Sequence, residues 1–206
     1  MSRRLIIVLP QNINNIIKRF EFLNDDYIIG VEKGLIILKE NNIKYNHGIG
    51  DFDSVSNNEL EIINNMENVI SLNPIKDDTD LLAALKSVDL KEFNEIYVLG
   101  GILGSRADHF YSNILLLKKY NFIMIDDNNL LFKIDKSIEI DNKYNYKYIS
   151  FFGNEEVLDL TLKGFKYNIN NYKLDCLNTI GISNEIVDEK CYVSFSSGSL
   201  ICMMSN

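Results

Sequence analysis

The stretch NEIYVLGGILGSRADHFYSNILLLKKYNFIMIDD, residues 94–127, reads as strand, glycine loop, helix and strand in succession. NEIYVLGG and NFIMIDD are short apolar runs that predict buried strands. DHFYSNILLLKKY between them carries apolar residues at helical spacing. The pattern repeats towards the N-terminus. RLIIVLP, YIIGV and NVISLN read as strands, and NINNIIKRFEFL, KGLIILKENN, NNELEIINNM and DLLAALKSV as helices. Short apolar strands alternating with helices predict a mostly parallel sheet covered on both faces.

From about Asn128 the helical period stops. NLLFKID, KSIEID, YKYISFFG, VLDLTL, FKYNI, CYVSFSSG and SLICMM are short strands divided by Asn, Asp and Gly turns. The expected fold is therefore α/β. A mostly parallel α/β domain over residues 1–135 precedes a small all-β, sandwich-like domain over 136–206. The boundary falls between Asp126 and Tyr146, where turn residues cluster.

Bulk properties narrow the function. The chain has 206 residues, with 46% hydrophobic and 24% charged, as in an ordinary globular protein. A net charge of -8 argues against non-specific binding to nucleic acid or an anionic membrane. A phosphorylated ligand stays open if a metal ion mediates. The apolar run after Met1-Ser-Arg-Arg is too short for a signal peptide and reads as the first strand. No stretch is long enough to span a membrane. Cys176, Cys191 and Cys202 form no Cys-x-x-Cys pair and read as buried thiols of a reducing cytoplasm.

In a parallel sheet, ligands bind beyond the carboxyl ends of the strands. Three polar clusters occupy such places. Gly50-Asp51-Phe52-Asp53-Ser54 sets carboxylates one residue apart. If this segment is extended, Asp51 and Asp53 face one side and converge. Two such charges about 4 Å apart repel by roughly 1 kcal/mol in water and about 4 kcal/mol at a protein surface. A hard cation such as magnesium removes that penalty. Helix capping does not need the pair, because Ser56-Asn57-Asn58-Glu59 supplies a capping box.

The second cluster is Lys76-Asp77-Asp78-Thr79-Asp80. One or two of these residues suffice to cap the following helix. The third is LGGILGSRADHFYSN. Gly100, Gly101 and Gly104 allow close backbone approach, and the helix start favours an anion. Arg106 adds a forked donor suited to phosphate. Asp108, His109 and Asn113 lie on the first turns of that helix. The loop has neither the Gly-Lys-Ser/Thr of a P-loop nor dinucleotide-fingerprint spacing. With only His47 and His109 as histidines, no zinc-ligand spacing exists.

Gly50-Asp-Phe-Asp-Ser54, Lys76-Asp-x-Thr-Asp80 and Gly101-x-x-Gly-x-Arg-x-Asp-His109 with Asn113 together resemble the thiamine pyrophosphokinase family in type, order and spacing. LKGFKYNI, residues 162–169, resembles the family's thiamine-domain stretch. GISNE, residues 181–185, resembles its Ser-Asn motif. Where the family usually carries Asp-Gly-Gly, this chain has Glu32-Lys33-Gly34, a carboxylate longer by a methylene. Ser105 stands where a second glycine is common, and there is no Trp to stack on thiamine.

The resemblance implies transfer of a pyrophosphoryl group from ATP to the hydroxyl of thiamine, giving thiamine diphosphate and AMP. It implies Mg2+ on Asp51, Asp53 and Asp80, with Asp77 and Glu32 assisting. Gly101, Gly104, Arg106, Asp108, His109, Asn113 and Thr79 are implied to face the nucleotide, and Ser183 and Asn184 thiamine. It also implies a cytoplasmic homodimer, with each site between the nucleotide domain of one subunit and the β-domain of the other.

Two alternatives stay open. Asp51-Phe-Asp-Ser-Val55 fits the Asp-x-Asp-x-Thr/Val motif of haloacid-dehalogenase-type phosphatases, although that motif normally ends the first strand of its domain. A non-catalytic nucleotide or thiamine sensor would keep the fold without turnover.

Overall fold

A computed structural model describes residues 3–73, 78–104, 106–141 and 145–206. The chain forms two compact units, residues 1–116 with 124–127, and residues 117–123 with 128–206.

The first unit is built on β1 (Arg4–Val8), β2 (Tyr27–Val31), β3 (His47–Gly50), β4 (Val69–Ser71), β5 (Glu95–Leu99) and β6 (Ile123–Ile125), in the order β4-β3-β2-β1-β5-β6. The pairs β1–β2, β1–β5, β2–β3 and β3–β4 are parallel. Between the strands run α1 (Ile16–Arg19), α2 (Gly34–Glu40), α3 (Asn57–Asn64), α4 (Asp80–Lys86) and α5 (Ala107–Lys119). Leu5–Val8 of β1 are fully buried, as a central strand covered on both faces requires. The expected α/β alternation is therefore present.

One helix is far shorter than its pattern. NINNIIKRFEFL yields only α1, because Phe20 turns extended (φ -67°, ψ 129°). Phe20 instead packs edge-on against Phe22 and Tyr97, with ring centroids 5.1 and 5.3 Å away. Tertiary packing of these rings overrides local helical spacing.

The second unit holds β7 (Asn129–Ile134), β8 (Ile138–Ile140), β9 (Tyr148–Gly153), β10 (Val157–Lys163), β11 (Ile169–Leu174), β12 (Cys191–Ser194) and β13 (Leu200–Ser205). β13 pairs antiparallel with β7 and β9. A separate antiparallel sheet runs β11-β10-β12-β8. Buried Phe151 of β9 packs edge-on against Phe165, with centroids 5.4 Å apart.

The expected strand FKYNI is displaced. Asn168 Oδ1 accepts the Phe165 N–H at 3.2 Å, closing a turn, and the strand begins only at Ile169. Cys191 and Cys202 are buried thiols as expected, but Cys176 is exposed.

Candidate active site

The register of β2 on β3 sets the first cluster. Val31 lies beside Ile49, so Glu32 and the Gly50–Asp51 step leave neighbouring strands side by side. The Glu32 N–H donates to Ile49 O at 3.0 Å, the last rung before the strands part. Glu32 Oε1 then accepts two consecutive backbone N–H groups, from Asp51 at 2.7 Å and Phe52 at 3.0 Å. Gly50 makes room for that carboxylate, since a Cβ there would sit 2.2 Å from Glu32 Oε1.

Asp51-Phe52-Asp53 is not extended, so the condition under which Asp51 and Asp53 would share one face of a strand is not met. Phe52 is left-handed, with φ +55°. Its ring is buried in a cluster with Leu35, Ile36 and Ile63. Burying a phenylalanine is worth about 1.5–3 kcal/mol. That offsets the roughly 1–3 kcal/mol cost of a strained backbone. The acidic side chains converge all the same. Carboxylate oxygens of Glu32, Asp51 and Asp53 lie within 4.8 Å of one another.

Among the described residues this is the one group of His, Cys, Asp or Glu placed to share a cation. Its donors are all oxygens, the set that hard divalent cations select. Glu32 is 7% exposed, and its second oxygen, Oε2, is buried without a hydrogen-bond partner. An uncompensated buried carboxylate oxygen is costly unless a positive charge meets it. The residues therefore fit a hard divalent cation. Burial pushes the Glu32 carboxyl above its usual range. The charges on Asp80 and Asp51 push it the same way, against the pull of the Phe52 and Asp51 N–H bonds.

Asp80 opens α4 and so bears on Glu32 through its charge. Thr79, expected to face the nucleotide, is the N-cap of α4, its Oγ1 accepting the Leu82 N–H at 3.4 Å. Asp78 is paired with Lys86 at 2.7 Å. Asp77, with Lys76, lies outside the described residues, as does Ser105. The capping box of α3 is formed as expected, with Ser56 and Glu59 satisfying each other's backbone N–H.

The glycine loop follows β5. Gly100 and Gly101 are left-handed, with φ +92° and +76°. The Gly100 N–H donates to Ile125 O at 2.8 Å. Buried Asn113 reaches back from α5, its Nδ2 donating to Gly101 O at 2.9 Å. Asn113 thus fixes the loop from beneath. Gly104 is exposed, and a Cβ there would meet Gln11 Cγ only at an ordinary 3.4 Å. The fold itself does not demand a glycine at that place.

Arg106 and Asp108 pair at the start of α5, Nη2 to Oδ2 at 2.5 Å and Nε to Oδ1 at 3.2 Å. Both side chains are about two-thirds exposed (63% and 62%). The Arg106 guanidinium holds the Asp108 carboxyl below its usual range. His109 is exposed on the same turn. His47 lies at the opposite end of β3, near Tyr27 and Ser87, outside this constellation.

Sequence reasoning missed one buried group in the same unit. Asp126, fully buried, accepts from Asn12 Nδ2 at 2.9 Å. Asp127 accepts the Asn15 and Ile16 N–H groups at 2.9 and 2.7 Å and so anchors α1. Both fall in the run NFIMIDD, which reads as a strand, with Asp126 at the start of the domain boundary. Their placement after an apolar strand was the available signal.

In the second unit, Ser183 is exposed and left-handed (φ +54°), its N–H donating to Ser150 Oγ at 2.9 Å. Asn184 is 3% exposed. Its Oδ1 accepts the Tyr167 N–H at 2.9 Å and its Nδ2 donates to Tyr167 O at 2.7 Å. The Asn184 side chain thus grips the backbone of Tyr167, whose residue is 59% exposed.

Residues 21–126 match the family described as thiamin pyrophosphokinase, catalytic domain, and residues 135–200 the family described as thiamin pyrophosphokinase, vitamin B1 binding domain. The chain is 36% identical over 185 residues to a thiamine pyrophosphokinase of Bacillus subtilis, covering 86% of each. It is 28% identical over 183 residues to thiamin pyrophosphokinase 1 of Caenorhabditis elegans, covering 81% of this chain and 72% of that one. The crystal structure of thiamine pyrophosphokinase from Bacillus subtilis superposes with a TM-score of 0.87 at 32% identity, covering 98% of this chain and 99% of that one. The enzyme from Geobacillus thermodenitrificans gives 0.84 at 26% identity, covering 100% and 98%.

Proposed function

This chain belongs to the thiamine pyrophosphokinase family, and from that premise we propose how its residues transfer a pyrophosphoryl group from ATP to the hydroxyl of thiamine. The thiamine oxygen attacks the β-phosphorus of ATP. The bond from that phosphorus to the oxygen bridging the α-phosphate breaks, and AMP leaves with the bridging oxygen. Thiamine diphosphate is the other product. The phosphatase and sensor alternatives gain no support. Asp51 follows the third strand in chain order and lies in a turn.

The single observation that carries the assignment of residues is the convergence of Glu32, Asp51 and Asp53 at the carboxyl ends of β2 and β3. Asp51, Asp53 and Asp80 would hold Mg2+, with Glu32 and Asp77 assisting. The ion, when bound, neutralises charge on the phosphates. Phosphoryl transfer asks chiefly for positioning and charge stabilisation. Arg106 supplies both at the phosphate chain by exchanging its Asp108 partner for phosphate oxygens. Gly101 and Gly104 let the backbone approach the nucleotide, and Asn113 holds that loop. Asp108, His109 and Thr79 border the same place. A carboxylate of the acidic group orients the thiamine hydroxyl and takes its proton.

Residues 1–135 are assigned to the nucleotide and 136–206 to thiamine. Ser183 lies on the thiamine side. Asn184 acts by holding Tyr167, whose exposed ring offers the aromatic face that a chain without Trp must supply. Exposed Leu177, Ile180, Ile182 and Val187 on the second unit suit burial against a second copy, in a cytoplasmic homodimer. Among the described residues no helix is long and apolar enough to cross a membrane. Incubation with ATP, thiamine and magnesium tests the reading through AMP and thiamine diphosphate. Both products are expected, and EDTA is expected to abolish them.

A further inference from the structure

We propose that Glu32 acts first as a positioning residue, its Oε1 fixing the turn that presents Asp51 and Asp53, with only Oε2 left to face a cation. The cation role rests on the reading above; the turn-holding role stands on geometry alone. Two successive N–H groups, from Asp51 and Phe52, converge on Oε1 at 2.7 and 3.0 Å. Successive N–H groups in a turn of this hand form a nest that binds an anion. Here the anion is a side chain of the same chain, delivered from the neighbouring strand.

The turn needs such a holder. Phe52 is left-handed, and Glu32 itself has φ +52°. Gly50 lacks the Cβ that would fall 2.2 Å from Oε1 and 2.8 Å from the Glu32 carboxyl carbon. Oε1 is thus engaged by the turn, whereas Oε2 is buried without a hydrogen-bond partner, and Glu32, Asp51 and Asp53 each offer a carboxylate oxygen within 4.8 Å of the others. The reach to both N–H groups is made by glutamate, one methylene longer than aspartate. Aspartate keeps the charge and loses the reach. Glutamine keeps the reach and loses the charge. The two substitutions therefore separate holding from ligation.

The test compares Glu32→Gln and Glu32→Asp in the full chain. The first arm is amide hydrogen exchange at Asp51 and Phe52, measured without metal or substrate. Glu32→Asp is expected to speed exchange at both amides by about tenfold or more, as loss of a charge-assisted hydrogen bond implies. Glu32→Gln is expected to stay within about threefold, since an amide oxygen still accepts. The second arm is kcat at saturating magnesium, with the magnesium concentration giving half-maximal rate. Glu32→Gln is expected to raise the magnesium concentration giving half-maximal rate. Glu32→Asp is expected to lower kcat at every magnesium concentration.

The reverse order in the exchange arm overturns the proposal. So does a folded Glu32→Gln protein with unprotected amides, which also decides the matter if Glu32→Asp fails to fold. Because that arm contains no metal, its failure is distinct from failure of the magnesium reading. The latter would show as exchange in the expected order with no magnesium dependence in either variant.

Discussion

Gly50 and Glu32 occupy one another's space: the missing Cβ of Gly50 would lie 2.2 Å from Glu32 Oε1. A methyl group cannot enter without expelling the carboxylate that holds the Asp51 and Phe52 N–H groups. Gly50→Ala is therefore expected to lower the melting temperature, with a cost of about 1–3 kcal/mol for overpacking. Turnover should fall with it, because the acidic turn loses its support. Thermal melts and steady-state kinetics on the same preparation check this. An alanine variant with wild-type values in both would remove the coupling.

Asp51→Asn and Asp53→Asn probe the cation directly. Each is expected to lower turnover by roughly 10²-fold or more, because neutralisation weakens the hold on a metal–phosphate complex. Folding should be spared or slightly improved, since mutual repulsion with Glu32 is relieved. The contrast between a dead enzyme and an unharmed melting curve is the signature to seek. Near-wild-type rates in both variants would show that these carboxylates do not serve the metal.

Asn113→Ala takes the support from beneath the glycine loop. It removes the donor to Gly101 O and leaves a buried carbonyl unsatisfied, at a cost of about 1–3 kcal/mol. Loss of stability is expected together with a raised KM for ATP and a smaller change for thiamine. Equal rises for both substrates would argue that the effect is global.

Glu59 gives a pH dependence of known sign. The Ser56 N–H and hydroxyl, then the Lys33 ammonium, hold its carboxyl at about 2, down from an ordinary 4.5. The folded value is depressed, so its stabilising effect is complete above 4.5 and is lost as the pH falls towards 2. Glu59→Gln should melt below wild type at pH 7, and the gap should close between these two values. Melting curves across that range measure it. A gap independent of pH would mean that charge on Glu59 contributes nothing.

How much of this was legible depended on range. The capping box at Ser56 and Glu59 involves neighbours in sequence and was plain. The alternation of strands and helices was equally so, because periodicity is local. The convergence of the Asp51 and Asp53 carboxylates could be read from their spacing, but the shape of the turn could not. Phe52 goes left-handed to bury its ring among Leu35, Ile36 and Ile63, residues from helices on either side in sequence. No pattern within Gly50–Ser54 carries that information. The Glu32 contact was hidden for a similar reason, since it follows from strand register. Asn184 read as a ligand to thiamine, and its full engagement with the Tyr167 backbone emerged only with the fold.

The assignment of the acidic group to pyrophosphoryl transfer is tested most directly by the nucleotide product. Phosphorus NMR of a reaction with ATP, magnesium and thiamine should show AMP and thiamine diphosphate in equal amounts. Both should vanish with EDTA and in Asp51→Asn. Formation of ADP or free phosphate in place of AMP, or undiminished AMP and thiamine diphosphate from folded Asp51→Asn, would contradict it.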